Sequence, residues 1–209
     1  EISCIQWKKG LFLGGREKRM INTWINAFLK PKETFAAEKA NASIGKGVIS
    51  YLIAGLISGV LGFIVSMAFA SLLPVGTPNA GIFGIITAPI AAIIGSLIGV
   101  GIIFIIAKLL GGKGSYSSLY YLASLYAVPV AVLGWIPIVG FLVSLYSLYL
   151  LVLALKESQQ MTTGKAVLAV LIPIIVVAIL VAIMVVLLGA ALLTMFGAIG
   201  APTGYFGLA

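Results

Sequence analysis

The sequence predicts an all-α polytopic membrane protein, a five-transmembrane-helix bundle with its N-terminus cytoplasmic and its C-terminus outside. Three observations predict it. First, 62% of the 209 residues are hydrophobic and 9% are charged, whereas a soluble domain carries about 25% charge. With a mean hydropathy of +1.22, the chain cannot cover a water-facing surface with polar groups. Second, the charges are confined to groups. Lys8, Lys9, Arg16, Lys18, Arg19, Lys30, Lys32, Lys39 and Lys46 precede the first apolar run, Lys108 and Lys113 form a second group, and Lys156 and Lys165 a third. Third, the uncharged stretches between them fit whole numbers of spans, each needing about 20 apolar residues.

The first element is a basic cytoplasmic segment, 1–46. Its start at Glu1 and the Met at position 20 suggest that Glu1–Arg19 is either an upstream extension or the remnant of a longer open frame. Glu1–Met20 has no long apolar core and does not read as a secretory signal. Trp24, Ile25, Phe28 and Leu29 recur at helical spacing. Pro31 then stands where a second helix can open, since its missing N–H is unpaired there anyway. The pair is expected to form amphipathic helices at the inner membrane surface, basic residues toward anionic headgroups, or else to pack on the bundle.

The membrane domain, 47–193, follows. Gly47–Ala107 carries no charge and suits two spans, about 47–73 and 82–107, turning near Pro74–Gly81. Gly114–Leu155 suits two more, about 116–134 and 138–155, turning at Gly134–Pro137. The fifth span is about 166–193. Both hairpins have Lys at their ends. Basic loops stay cytoplasmic, so each hairpin must leave and return to that side. Beyond position 193 lies an apolar, Gly-rich tail, 194–209, in which Gly197, Gly200, Pro202, Gly204 and Gly207 interrupt any sixth helix.

Within the spans, Gly55 and Gly59 in the first and Ala91, Gly95 and Gly99 in the second have four-residue spacing. Such faces let helix backbones approach, and the two spans are expected to pair through them. A homodimer is the alternative use. Pro89, Pro129 and Pro173 each remove a backbone hydrogen bond and are expected to kink their helices. Spans three and four carry the hydroxyls. Tyr116, Tyr120 and Tyr121 are expected in an aromatic belt at the inner boundary. The deeper Ser and Tyr groups, Ser144 and Tyr146 among them, should hydrogen-bond between helices, with room for a small polar cavity.

Chemistry is poorly represented. The chain has no His and no Asp, and its acids are Glu1, Glu17, Glu33, Glu38 and Glu157. His triads, His metal sites and aspartyl dyads are therefore excluded. The lone Cys4 excludes an internal disulfide, and its lipidation is no more than a background expectation. Gly111-Gly112-Lys113-Gly114-Ser115 looks like a phosphate loop but lacks the P-loop spacing and setting. Asn41-Ala42-Ser43 is a glycosylation triplet on the side where it stays unmodified. No catalytic, cofactor or metal residue is expected, and the chain is not expected to be an enzyme. Nucleic acid is not an expected partner, because the basic excess has a topological cause.

Leu29-Lys30-Pro31-Lys32-Glu33-Thr34-Phe35 before the first span resembles the opening of short prokaryotic members of the Yip1 family. Gly111 to Tyr116 leading into the third span, with Tyr126 and Pro129, is similar to that family's central stretch. So are Pro137 and Gly140 at span four, and Thr162–Ala166 ahead of a last span with Pro173. The resemblance covers about Trp24 to Leu188. It implies five membrane helices and a cytoplasmic N-terminus. Eukaryotic members act in vesicle traffic between endoplasmic reticulum and Golgi, and several associate with Rab GTPases. Here the residues before span one are basic rather than acidic, and Lys-Pro-Lys-Glu-Thr-Phe replaces the eukaryotic Asp-Leu-Tyr-Gly-Pro motif. No Rab-contacting residue can be carried over.

The expected role is a non-catalytic membrane protein, in a prokaryotic plasma membrane, that organises membrane, protein or lipid interactions. Its expected partners are anionic headgroups and a protein partner or second copy. The alternative is a channel, permease or accessory transport subunit for a neutral solute.

Overall fold

The computed structural model describes residues 19–69 and 78–200. Cys4, the first half of the Pro74–Gly81 turn and residues 201–209 of the tail lie outside the described residues. All regular structure among the described residues is helical: α1 (19–29), α2 (Pro31–Glu38), a 3-10 turn (Lys39–Asn41), α3 (Ile44–Phe69), α4 (Pro78–Leu109), α5 (Tyr116–Leu125), α6 (Ala127–Leu133), α7 (Pro137–Gln159) and α8 (Thr163–Gly200). Five stretches are long and apolar enough to cross a bilayer: Ile44–Ala68, Phe83–Leu109, Tyr116–Leu133, Ile138–Gln159 and Thr163–Gly189. The five-span, all-α architecture is therefore present.

The helix ends follow local chemistry. Ser115 opens α5 with an extended backbone, and its hydroxyl accepts from the Ser118 N–H at 3.3 Å, as an N-cap should. Pro31 and Pro137 stand in the first turns of α2 and α7. At the far end of α7, Gln160 takes the left-handed conformation, φ 52°, that commonly terminates helices.

The third span is two helices, not one. α5 stops at Leu125 and α6 starts at Ala127. Pro129 has no N–H to give the Leu125 carbonyl one turn back, and Tyr126 takes up the irregularity at φ −97°, ψ −1°. α4 and α8, by contrast, run unbroken past Pro89 and Pro173.

The chain divides into two compact units, Glu1–Val170 and Leu171–Ala209. In the first, α3 packs mainly on α4 and also on α5 and α6. Gly55 lies against Pro89 and Ala88, and Gly59 against Gly84 and Ile85. Gly47 meets Tyr120 and Gly62 meets Trp135, so α3 and α5–α6 run in the same direction. α5 is the core: Leu119, Tyr120, Leu122 and Ser124 have no exposure at all. The second unit is most of α8, whose Leu171–Leu188 stretch is apolar on every face, the pattern of a membrane span.

The small-residue faces are used unequally. Gly55 and Gly59 do pair α3 with α4, but on Gly84–Pro89. Gly95 and Gly99 meet nothing beyond their own helix within 4 Å of a would-be Cβ among the described residues. The expected Tyr belt is also revised. Tyr120 and Tyr121 are 0% and 6% exposed and serve as packing for the core.

Candidate functional site

Among the described residues of the first unit, the charges at the helix ends gather at one end of the bundle, while Lys30, Lys32 and Glu33 lie apart from them. Lys108 lies in the last turn of α4 and Lys156 in the last turn of α7. Lys39 pairs with Glu157 at 3.6 Å, joining the 3-10 turn to α7. Lys108 holds its ammonium 5.3 Å over the Phe104 ring, the stem lying along apolar surface.

The loop between α4 and α5 closes this end. Gly111, at φ 93°, uses a conformation that side chains rarely adopt. The Gly111, Gly112 and Lys113 N–H groups donate to the carbonyls of Lys108, Ala107 and Gln159. Three of the five backbone donors of Gly111–Ser115 are thus spent within the protein, and the likeness to a P-loop is superficial. The Gln159 side chain, fully buried, donates to the Ser115 carbonyl at 3.2 Å.

The segment before span one folds as a helical hairpin packed on the bundle. Apolar residues drive the packing: Trp24, Ala27 and Phe35 are 8%, 0% and 1% exposed. The Trp24 indole N–H donates to Ser50 Oγ at 3.2 Å. Phe28 meets Tyr146 edge-on at 5.0 Å, and the Tyr146 hydroxyl donates to the Phe28 carbonyl at 2.7 Å. Phe35 lies 6.4 Å from the Tyr126 ring. The tip, Leu29–Pro31, therefore sits beside the middle of α7, while the start of α1 and the end of α2 return together to the charged end.

Among the described residues two polar-lined cavities result, beside an apolar one of about 280 Å³ between Ile21, Ile25, Val128 and Val132. One, about 390 Å³, lies at the tip between Lys30, Lys32, Glu33, Tyr146 and Tyr149. The other, about 180 Å³, lies where the two arms end, between α1, α2, α3 and α5. Its polar side is Arg19, Glu38, Asn41 and Lys46. The Tyr121 hydroxyl donates to Glu38 Oε2 at 2.8 Å. Lys46 donates to the Asn41 carbonyl at 2.9 Å and lies 5.8 Å over the Tyr121 ring. Its apolar side is Met20, Trp24, Ile49 and Leu125. Neither cavity is the one expected between spans three and four. Both are made by the hairpin; many of their lining residues, Trp24, Pro31, Glu38 and the lysines among them, stand out in the sequence, but nothing there brings them together.

The expected interhelical hydroxyl contacts form where side chains are long. Tyr120 and Ser96 hydroxyls are 3.0 Å apart, and the Tyr116 hydroxyl donates to the Leu97 carbonyl at 2.9 Å. Ser124, Ser144 and Ser147 instead bond carbonyls of their own helices, because a short hydroxyl reaches those first. Among the described residues no three His, Cys, Asp or Glu side chains come together as metal ligands.

A family model described as the Yip1 domain matches residues 25–186. No curated protein and no solved structure matches the chain.

Proposed function

From the premise that this chain belongs to the Yip1 domain family, we propose that it is a non-catalytic membrane protein whose basic end organises lipid or protein contacts at the cytoplasmic leaflet. The observation that carries the reading is the hairpin 19–38. It sets Lys30 and Lys32 beside the middle of α7 and adds Arg19 to the bundle end that carries Lys39, Lys108 and Lys156, the boundary with the headgroups. Cations at such a boundary are each worth about 1 kcal/mol toward an anionic leaflet. The lysines at the span ends, Lys46, Lys108, Lys113, Lys156 and Lys165, support an orientation with the N-terminus in the cytoplasm and the C-terminus outside, and the likeness of Leu29–Phe35 to short prokaryotic family members supports a prokaryotic plasma membrane.

The packing of α5 supports an organising role over a solute path. Its buried face is filled by Leu119, Tyr120 and Leu122, and the tyrosine hydroxyls are engaged with neighbouring helices. The test is photo-crosslinking from Thr23 and Lys32 in native membranes. A reproducible lipid or protein adduct is expected. Background adducts alone, together with saturable solute uptake by reconstituted liposomes, would replace this reading with transport.

A further inference from the structure

Resting on the reading that the charged end meets lipid headgroups, we propose that the cavity between Arg19, Glu38 and Lys46 binds one phospholipid whose headgroup carries both a phosphate and a primary amine. Three features of the cavity converge on that chemistry.

The first is its charge set. Two cations and one carboxylate border a single space of about 180 Å³, the volume of roughly six waters. Lys39–Glu157 is the one ion pair among the described residues, so neither Arg19 nor Lys46 neutralises Glu38 by direct contact. Glu38 accepts from Tyr121 through Oε2, and its other oxygen keeps acceptor capacity. Lys46 spends one donor on Asn41 and keeps two. A phosphate suits Arg19 and Lys46, and an ammonium suits Glu38. A headgroup carrying only negative charge would satisfy the cations and face Glu38 unfavourably.

The second is its amphipathic wall. Opposite the charges stand Met20, Trp24 and Ile49, which suit the glycerol and upper acyl region better than water. The third is its exit. From Ile49 the exposed residues Leu52, Leu56 and Val60 follow at helical spacing down one side of α3. That track offers acyl chains a continuous apolar surface, which a soluble phosphate ester would leave unused.

The test uses the full chain, purified and reconstituted in vesicles of phosphatidylcholine alone, or with added phosphatidylethanolamine or phosphatidylglycerol. Lipid retained through re-extraction is counted by native mass spectrometry. Phosphatidylethanolamine should be retained preferentially. Arg19→Gln, at the exposed edge of α1, should lower that retention about tenfold, the effect of one charge-assisted hydrogen bond, and Glu38→Gln should remove the preference over phosphatidylglycerol. Ser147→Ala, on α7 and outside the cavity lining, should change neither. Equal retention of the three lipids, or unchanged retention in a folded Arg19→Gln protein, would overturn the proposal. Displacement by soluble phosphoethanolamine would overturn the assignment to a lipid. No protein partner is present in this assay, so a failed membrane crosslinking experiment and a failed lipid preference remain separate results.

Discussion

Gly55 stands against the backbone of Pro89: a Cβ on Gly55 would lie 2.5 Å from Pro89 Cα and 3.0 Å from the Ala88 carbonyl oxygen. The contact places α3 and α4 at a separation that only a residue without a side chain permits. It also places the proline of α4 where a neighbouring helix supports the backbone, as membrane helices require. Gly55→Leu should cost about 1–3 kcal/mol through overpacking. Gly99→Leu should be nearly neutral, because among the described residues nothing beyond its own helix lies within 4 Å of its would-be Cβ. Thermal unfolding of the two purified variants checks the contrast, and equal losses would refute the assigned helix pairing.

The Tyr121–Glu38 bond at 2.8 Å spans 83 residues and ties the hairpin to the core. Tyr121→Phe and Glu38→Ala should each destabilise by about 1.5–3 kcal/mol, as expected for a bond to a charged acceptor. The double variant should lose less than the two losses added together. Additive losses in the cycle would show that the pair does not interact in the membrane.

Tyr120→Phe tests the shorter bridge to Ser96. Interhelical hydroxyl bonds in membranes average about 0.6 kcal/mol, so the shift in unfolding should be small and should vanish in a Ser96→Ala background. A large loss would mean that the Tyr120 hydroxyl serves some other partner.

The loop between α4 and α5 predicts two glycine effects of different origin. At Gly114 a Cβ would overlap the Ser158 carbonyl, so Gly114→Ala must separate the loop from the end of α7. Gly111→Ala forces a side chain into φ 93°, at about 1–3 kcal/mol. Gly45, whose would-be Cβ meets only Ser43 Oγ at 3.8 Å, should accept Ala without loss. Protease resistance of the three variants in membranes measures the order.

Orientation is checked by single cysteines in a Cys4→Ser background. In intact cells an impermeant thiol reagent should label Ala209→Cys and leave Lys113→Cys unlabelled until the membrane is opened. The reverse pattern would invert the proposed topology.

Several elements are legible in the sequence because each depends on a short window of it. A charge-free run states its own cost of leaving the membrane, so five spans follow from Lys46, Lys108, Lys113, Lys156 and Lys165. The break near Pro129 follows from one missing N–H. Its sharpness there, and the unbroken helices at Pro89 and Pro173, did not follow. A neighbouring backbone stands at Pro89, and the sequence does not say which prolines will have one.

What the sequence by itself determined is therefore the number of spans, their approximate ends and the end that carries the lysines, since each is set by the free energy of placing one stretch of chain in lipid. Only the tertiary structure decided that Gly55 and Gly59, and not Gly95 and Gly99, meet a neighbour within the chain. It alone turned residues 19–38 into a hairpin and put Arg19, Glu38 and Lys46 around one space. Helices apolar on every side do not encode which face turns inward. That choice is made by packing between residues distant in the chain, and it leaves no periodic mark to read.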